Sequence, residues 1–135
     1  MFLSNNIIKR FKEKSGIDDD LMDILITESD DNPQKLAITL INKGYLSRDV
    51  AGMILGDAYG CAYINLDKTL VESDVVNRLS PASAEELLAI PIYKFGNAVT
   101  VAMNDPADLH ACQRLRAEIG EDVDFIFTLP DERRC

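Results

Sequence analysis

The sequence predicts an α+β fold. A helical N-terminal part spans residues 1–60, and a small α/β part with a three- to four-stranded sheet and helices spans 61–135. Three observations predict it. Apolar residues recur at helical spacing through the first part, punctuated by Gly16 and Gly44. Beyond residue 61 the pattern changes to short apolar or alternating runs, Pro91–Phe95, Ala98–Met103 and Val123–Phe127. Between the last two runs lies room for one helix, closed by Gly120.

The elements follow in order. Ile7, Ile8 and Phe11 form the stripe of a first helix, with Lys9, Arg10, Lys12 and Lys14 on its outer face, and Ser15-Gly16 ends it. Asp18-Asp19-Asp20 opens a second helix, where carboxylates suit the positive end of the dipole, and Leu21, Ile24 and Leu25 carry its apolar face. Ser29–Pro33 breaks the chain. Leu36, Leu40 and Ile41 set the period of a third helix, with Lys43 in its last turn and Gly44 as a left-handed stop. Ser47 caps a helix from Arg48 to Gly56 that turns Val50, Ile54 and Leu55 inward. Gly16-Ile17 and Gly44-Tyr45 occupy similar places, which suggests a decayed repeat of this helix–glycine–helix unit.

The second part begins with Tyr63–Leu66, a strand by composition, followed by a short helix over Asp74–Leu79. Pro81 opens a helix over Ala82–Ala89. Pro91 begins a strand that turns at Gly96-Asn97 into Ala98–Met103, a β-hairpin. Asp105 then reads as an N-cap with Pro106 at the first helical position, Leu109, Leu115 and Ile119 line the helix, and Val123–Phe127 closes the β–α–β tail.

Composition narrows the chemistry. Against 14 Lys and Arg stand 23 Asp and Glu, a net charge of −9, which repels phosphate backbones and anionic lipid, so no nucleic acid is expected as a partner. No run approaches the length of a membrane span, Met1–Ser4 is too short for a signal-peptide core, and no direct membrane insertion is expected. Three cysteines, Cys61, Cys112 and Cys135, form no metal-ligand spacing, and their odd count favours a reducing cytoplasm over a disulfide framework. Cys61 reads as a small buried hydrophobe and Cys135 as exposed.

No catalytic constellation stands out. The single histidine, His110, lies two positions from Cys112, and residues two apart on a helix point to different faces. A lone histidine without clustered cysteines or acids lacks the ligands for a metal, and none is expected. Asp18–Asp20 lacks the ligand alternation and glycine of a calcium loop, and Glu85-Glu86 fits the first turn after Pro81. The GxxxxGK[ST] phosphate loop is absent, so this chain is not expected to hydrolyse ATP by that route or to be an enzyme. A thiol enzyme built on Cys112 or Cys61 is the remotest alternative, and it requires a depressed cysteine pKa.

The region Ile90–Leu129, with its Val101-Ala102-Met103-Asn104-Asp105-Pro106 run, a helix ended by Gly120 and a closing strand, resembles the N-terminal domain of the type II secretion and type IV pilus assembly ATPases. The similarity is strong over 44–67 and 87–129 and poor over 1–33. The resemblance implies a non-catalytic docking and regulatory domain of the cytoplasm, recruited to the inner membrane by a partner, without a cofactor. Its partner would be the cytoplasmic domain of an inner-membrane assembly protein, or the ATPase domain of a parent chain. An exposed apolar patch would serve that role, with Ile7, Ile8 and Phe11 on the first helix and Tyr93 and Phe95 on the hairpin as candidates.

Some members of that family bind cyclic di-GMP, which gives the alternative function. The matching residues here are Lys35, Leu36, Ala37, Leu40, Ile41, Gly44, Tyr45 and Leu46. Lys35 stands where the family motif has arginine, Ala37 where it has glycine, Ala51 where it has leucine and Ala58 where it has glutamine. A lysine is a point charge that neither stacks nor chelates as a guanidinium does, and the lost glutamine removes a base-pairing amide.

Overall fold

The structure is a computed structural model and describes residues 2–130. The expected exposure of Cys135 lies outside the described residues. The chain divides into two compact units, the first ending at Gly60 and the second beginning at Cys61.

The first unit holds four helices: α1 (Asn5–Ser15), α2 (Asp19–Glu28), α3 (Pro33–Asn42) and α4 (Arg48–Tyr59). Each starts on a side-chain cap that satisfies an otherwise unpaired backbone N–H. Ser4 accepts from Ile7 N, Asp18 from Leu21 N, Asn32 from Gln34 N and Lys35 N, and Ser47 from Val50 N. Pro33 takes the first position of α3. Gly44 is left-handed at φ 80°, which lets Tyr45 N reach back to Leu40 O at 2.9 Å and close α3. α4 packs against α1 and α3, and α2 lies beside α3. Ile7, Phe11, Met22, Leu25, Leu36, Leu40, Ile54 and Leu55 are buried in this unit. Among the described residues, no helix is long and apolar enough to cross a membrane.

The second unit is built on a sheet of three strands: β1 (Ala89–Phe95), β2 (Ala98–Met103) and β3 (Asp122–Phe127), in the order β1-β2-β3. β1 and β2 form the antiparallel hairpin around Gly96-Asn97, and β2 pairs with β3 in parallel through the crossover helix α7 (Leu109–Ile119). β2 is central and reads as a nearly continuous apolar run because both of its faces are covered. One face, Val99, Val101 and Met103, packs with Ala111, Cys112, Leu115 and Ile119 of α7 and with Val75 and Leu79. Two short helices, α5 (Ser73–Val76) and α6 (Pro81–Leu87), precede the hairpin.

Four expectations need correction. Tyr63–Leu66 is not a strand. Tyr63 makes one parallel bridge to Phe127, and then Asn65 captures Asp67 N with its side chain at 3.0 Å and turns the chain into a 3₁₀ turn, Leu66–Lys68. Asp105 does not cap α7. It closes an Asp-Pro-Ala turn, accepting from Ala107 N at 3.2 Å, and Asp108 is the N-cap, accepting from Ala111 N at 3.1 Å. Pro91 lies inside β1 rather than at its start; β1 is an outer strand and bulges between Pro91 and Tyr93, so the missing N–H breaks no regular ladder. The α6 helix stops at Leu87, and Ala89 already belongs to β1.

Candidate functional site

The motif residues of the first unit separate into two groups. Leu36, Ala37, Leu40 and Leu46 are buried and take part in the core of this unit. Leu36, Ala37 and Leu40 follow the inward stripe of α3, and that stripe serves packing first, while Leu46 is buried beyond the helix end. Lys35, Gly44 and Tyr45 are exposed and Ile41 is partly buried, so the motif keeps a narrow accessible edge. Lys35 Nζ lies 3.4 Å from Asp30 Oδ2, and a nearby carboxylate competes with any anionic ligand for that ammonium.

The docking candidates separate in the same way. Ile7 and Phe11 are enclosed in the first unit and cannot present a surface, a correction with a direct cause: the α1 stripe is the face that α4 covers. Ile8 and Tyr93 are partly buried. Phe95 is 81% exposed at the end of β1, beside the Gly96-Asn97 turn. The basic face of α1 is partly neutralised, because Arg10 meets Asp57 at 3.0 Å and Lys12 pairs with Asp19.

On the second unit, Glu121 receives hydrogen bonds from Arg78 and from Lys94, which hold its carboxyl below the usual range. Arg114 does the same to Glu86 through a hydrogen bond of 2.7 Å. The thiols behave oppositely. Burial pushes both Cys61 and Cys112 up, and the Cys112 sulfur lies among Met103 Sδ at 3.8 Å and Pro106 O at 3.7 Å. A raised pKa disfavours the thiolate, the nucleophilic and metal-binding form. His110 is exposed in the first turn of α7. Among the described residues, no group of three His, Cys, Asp or Glu is placed to hold a metal ion.

The sequence reading missed Leu88. It follows α6 in the left-handed region, φ 51° and ψ 51°, where α1, α3, α4 and α7 have a glycine at or next to their ends. The one available signal was a negative one: no glycine stands between α6 and β1.

The β1–β2–α7–β3 arrangement falls within a match of residues 59–133 to a family described as the MshEN domain. The chain belongs to the MshEN domain family. A second comparison agrees: the type IV pilus assembly ATPase PilB of Myxococcus xanthus (strain DK1622) is 26% identical over 99 residues, 73% of this chain. Those residues are 18% of the PilB chain, so this sequence spans under a fifth of that relative. Among solved structures, MshE with cdg superposes with a TM-score of 0.66 at 24% identity, covering 93% of this chain and 91% of that one. The N-terminal domain of XpsE follows at 0.57 and 17%, covering 96% and 89%. At these identities the likeness of the two structures is one of fold. This MshEN chain therefore has the fold of N-terminal domains carried by pilus and secretion ATPases.

Proposed function

We propose that this MshEN chain is a non-catalytic docking and regulatory module of a type IV pilus or type II secretion ATPase system, working in the cytoplasm. Its partner is the cytoplasmic domain of an inner-membrane assembly protein or the ATPase domain of a parent chain. The observation that carries the reading is Phe95, a large aromatic side chain left 81% exposed on the outer strand of the family domain's sheet. Exposed aromatics of this kind anchor protein interfaces. The raised pKa of both thiols and the exposure of His110 support a non-catalytic role. The test is a binding titration of the chain against each of the two partner domains from the same genome. Saturable binding to one of them at micromolar concentration is the expected result, and no binding to either overturns the reading.

A second reading has an observation of its own, the fold likeness to MshE with cdg. In it the chain senses cyclic di-GMP through the exposed Lys35, Gly44 and Tyr45 and the partly buried Ile41. Calorimetry with cyclic di-GMP, beside a Lys35→Glu variant, tests it. Saturable heat that the variant loses supports sensing, and no heat rejects it.

A further inference from the structure

The second unit contains a concave feature that neither reading uses. A cleft of about 560 Å³ opens between α6, the start of β1 and the end of the described chain, with Leu79, Pro81, Ala84, Leu88, Ile90 and Leu129 among its walls. Its volume falls in the range of built binding sites, which are largely apolar with a few polar groups. Among the described residues, Glu85 is the one charged residue that lines it. That carboxylate is exposed and has no ion-pair partner among the described residues. On the same wall Leu88 is 58% exposed in a left-handed backbone conformation, which a β-carbon resists and which glycine or asparagine adopts more easily. A leucine here keeps an apolar side chain on the cleft at the expense of backbone comfort.

Charge indicates the occupant. Between Cys61 and Pro130 there are eleven carboxylates and five Lys or Arg side chains. Four of those cations are already engaged: Arg78 and Lys94 on Glu121, Arg114 on Glu86, and Arg116 over the Phe125 ring at 4.9 Å. An acidic unit with a free carboxylate on an apolar cleft complements an apolar segment that carries a lysine or arginine. We infer that the cleft beside Leu88 receives an amphipathic basic segment of the docking partner, its apolar side chains entering between Leu79, Ala84 and Ile90 and its cation meeting Glu85. The inference rests on the docking reading and names the chemistry of the partner segment.

The probe is a synthetic leucine–lysine helical peptide, with a leucine–glutamate peptide of the same pattern as its counterpart, titrated into the isotope-labelled full chain. Amide shifts confined to Leu79, Ala84, Leu88 and Ile90 are expected with the basic peptide only. Leu88→Asn keeps a residue that tolerates the left-handed region and weakens binding about tenfold. Glu85→Lys weakens it about fivefold, whereas Asp124→Lys, the same charge change on an exposed residue of β3, leaves it unchanged. Shifts elsewhere, equal binding of both peptides, or equal losses in the two lysine variants would overturn the inference. The partner titration keeps the two ideas separable. Partner binding that survives Leu88→Asn retires the cleft alone, and a wild-type chain that binds no partner retires docking itself.

Discussion

Replacing Phe95 with threonine separates docking from folding, because the two depend on different surfaces of the same residue. A fully buried phenylalanine contributes about 1.5–3 kcal/mol through the area it removes from water. Phe95 keeps 81% of its surface exposed, so only about a fifth of that, roughly 0.5 kcal/mol, is at stake in folding. Threonine also retains the β preference of the strand. The urea midpoint of Phe95→Thr is therefore expected to stay near that of the unmodified chain. Phe11→Ala provides the scale: Phe11 is fully enclosed, and its truncation costs about 3–5 kcal/mol. Docking reverses the order. An aromatic anchor at an interface costs about 2 kcal/mol or more when truncated, close to thirtyfold in Kd. Circular dichroism in urea and a titration against the partner domain read the two quantities separately. The reasoning is refuted if Phe95→Thr binds as tightly as the original, or if its midpoint falls as far as that of Phe11→Ala.

Three further outcomes follow from the same structure. Ser29 and Ser83 are both buried, but Ser29 Oγ has no hydrogen-bond partner among the described residues while Ser83 Oγ donates to Glu118 Oε1 at 2.9 Å. Alanine is expected to stabilise at 29 and destabilise at 83, each by about 1 kcal/mol, read as melting temperatures that move in opposite directions. Glu121 and Glu86 have folded-state pKa values below their unfolded ones, so their contribution is full above the unfolded carboxyl pKa and is lost as pH falls through the folded values. The melting temperature should therefore drop on acidification below about pH 4, less steeply in Glu121→Gln; an unchanged slope contradicts the ion-pair assignment. Cys112, buried with a raised pKa, should react with a thiol reagent at neutral pH far more slowly than an unfolded control, and rapid labelling would contradict its placement.

Most helix boundaries were legible in the sequence because they are enforced locally. Ser47, Asp18 and Asn32 cap with their own side chains, and Gly16, Gly44 and Gly120 supply left-handed stops. The hairpin was legible for the same reason, through Gly96-Asn97. Where two local solutions compete, the sequence does not choose. Asp105 and Asp108 are both able to cap α7, and the turn through Pro106 hands that role to Asp108. Asn65 has the choice of extending a strand or folding its amide back on the backbone, and it folds back. The surface was the least legible part. The Ile7–Phe11 stripe and the leucines of α3 carry the pattern of a functional motif and of a core at once, and tertiary packing assigns most of them to the core. Leu88 had no positive signal, since its conformation depends on how α6 meets β1 rather than on its own preference.

The most direct test of the account is one calorimetric series, in which the chain is titrated with the cytoplasmic domain of its own system's inner-membrane assembly protein and with the system's ATPase domain as the two candidates for the protein partner, each with and without cyclic di-GMP. Docking through this MshEN chain predicts saturable micromolar binding to one of them that the nucleotide leaves unchanged. No heat with either protein partner, together with saturable heat from the nucleotide alone, would contradict it and make the chain a sensor.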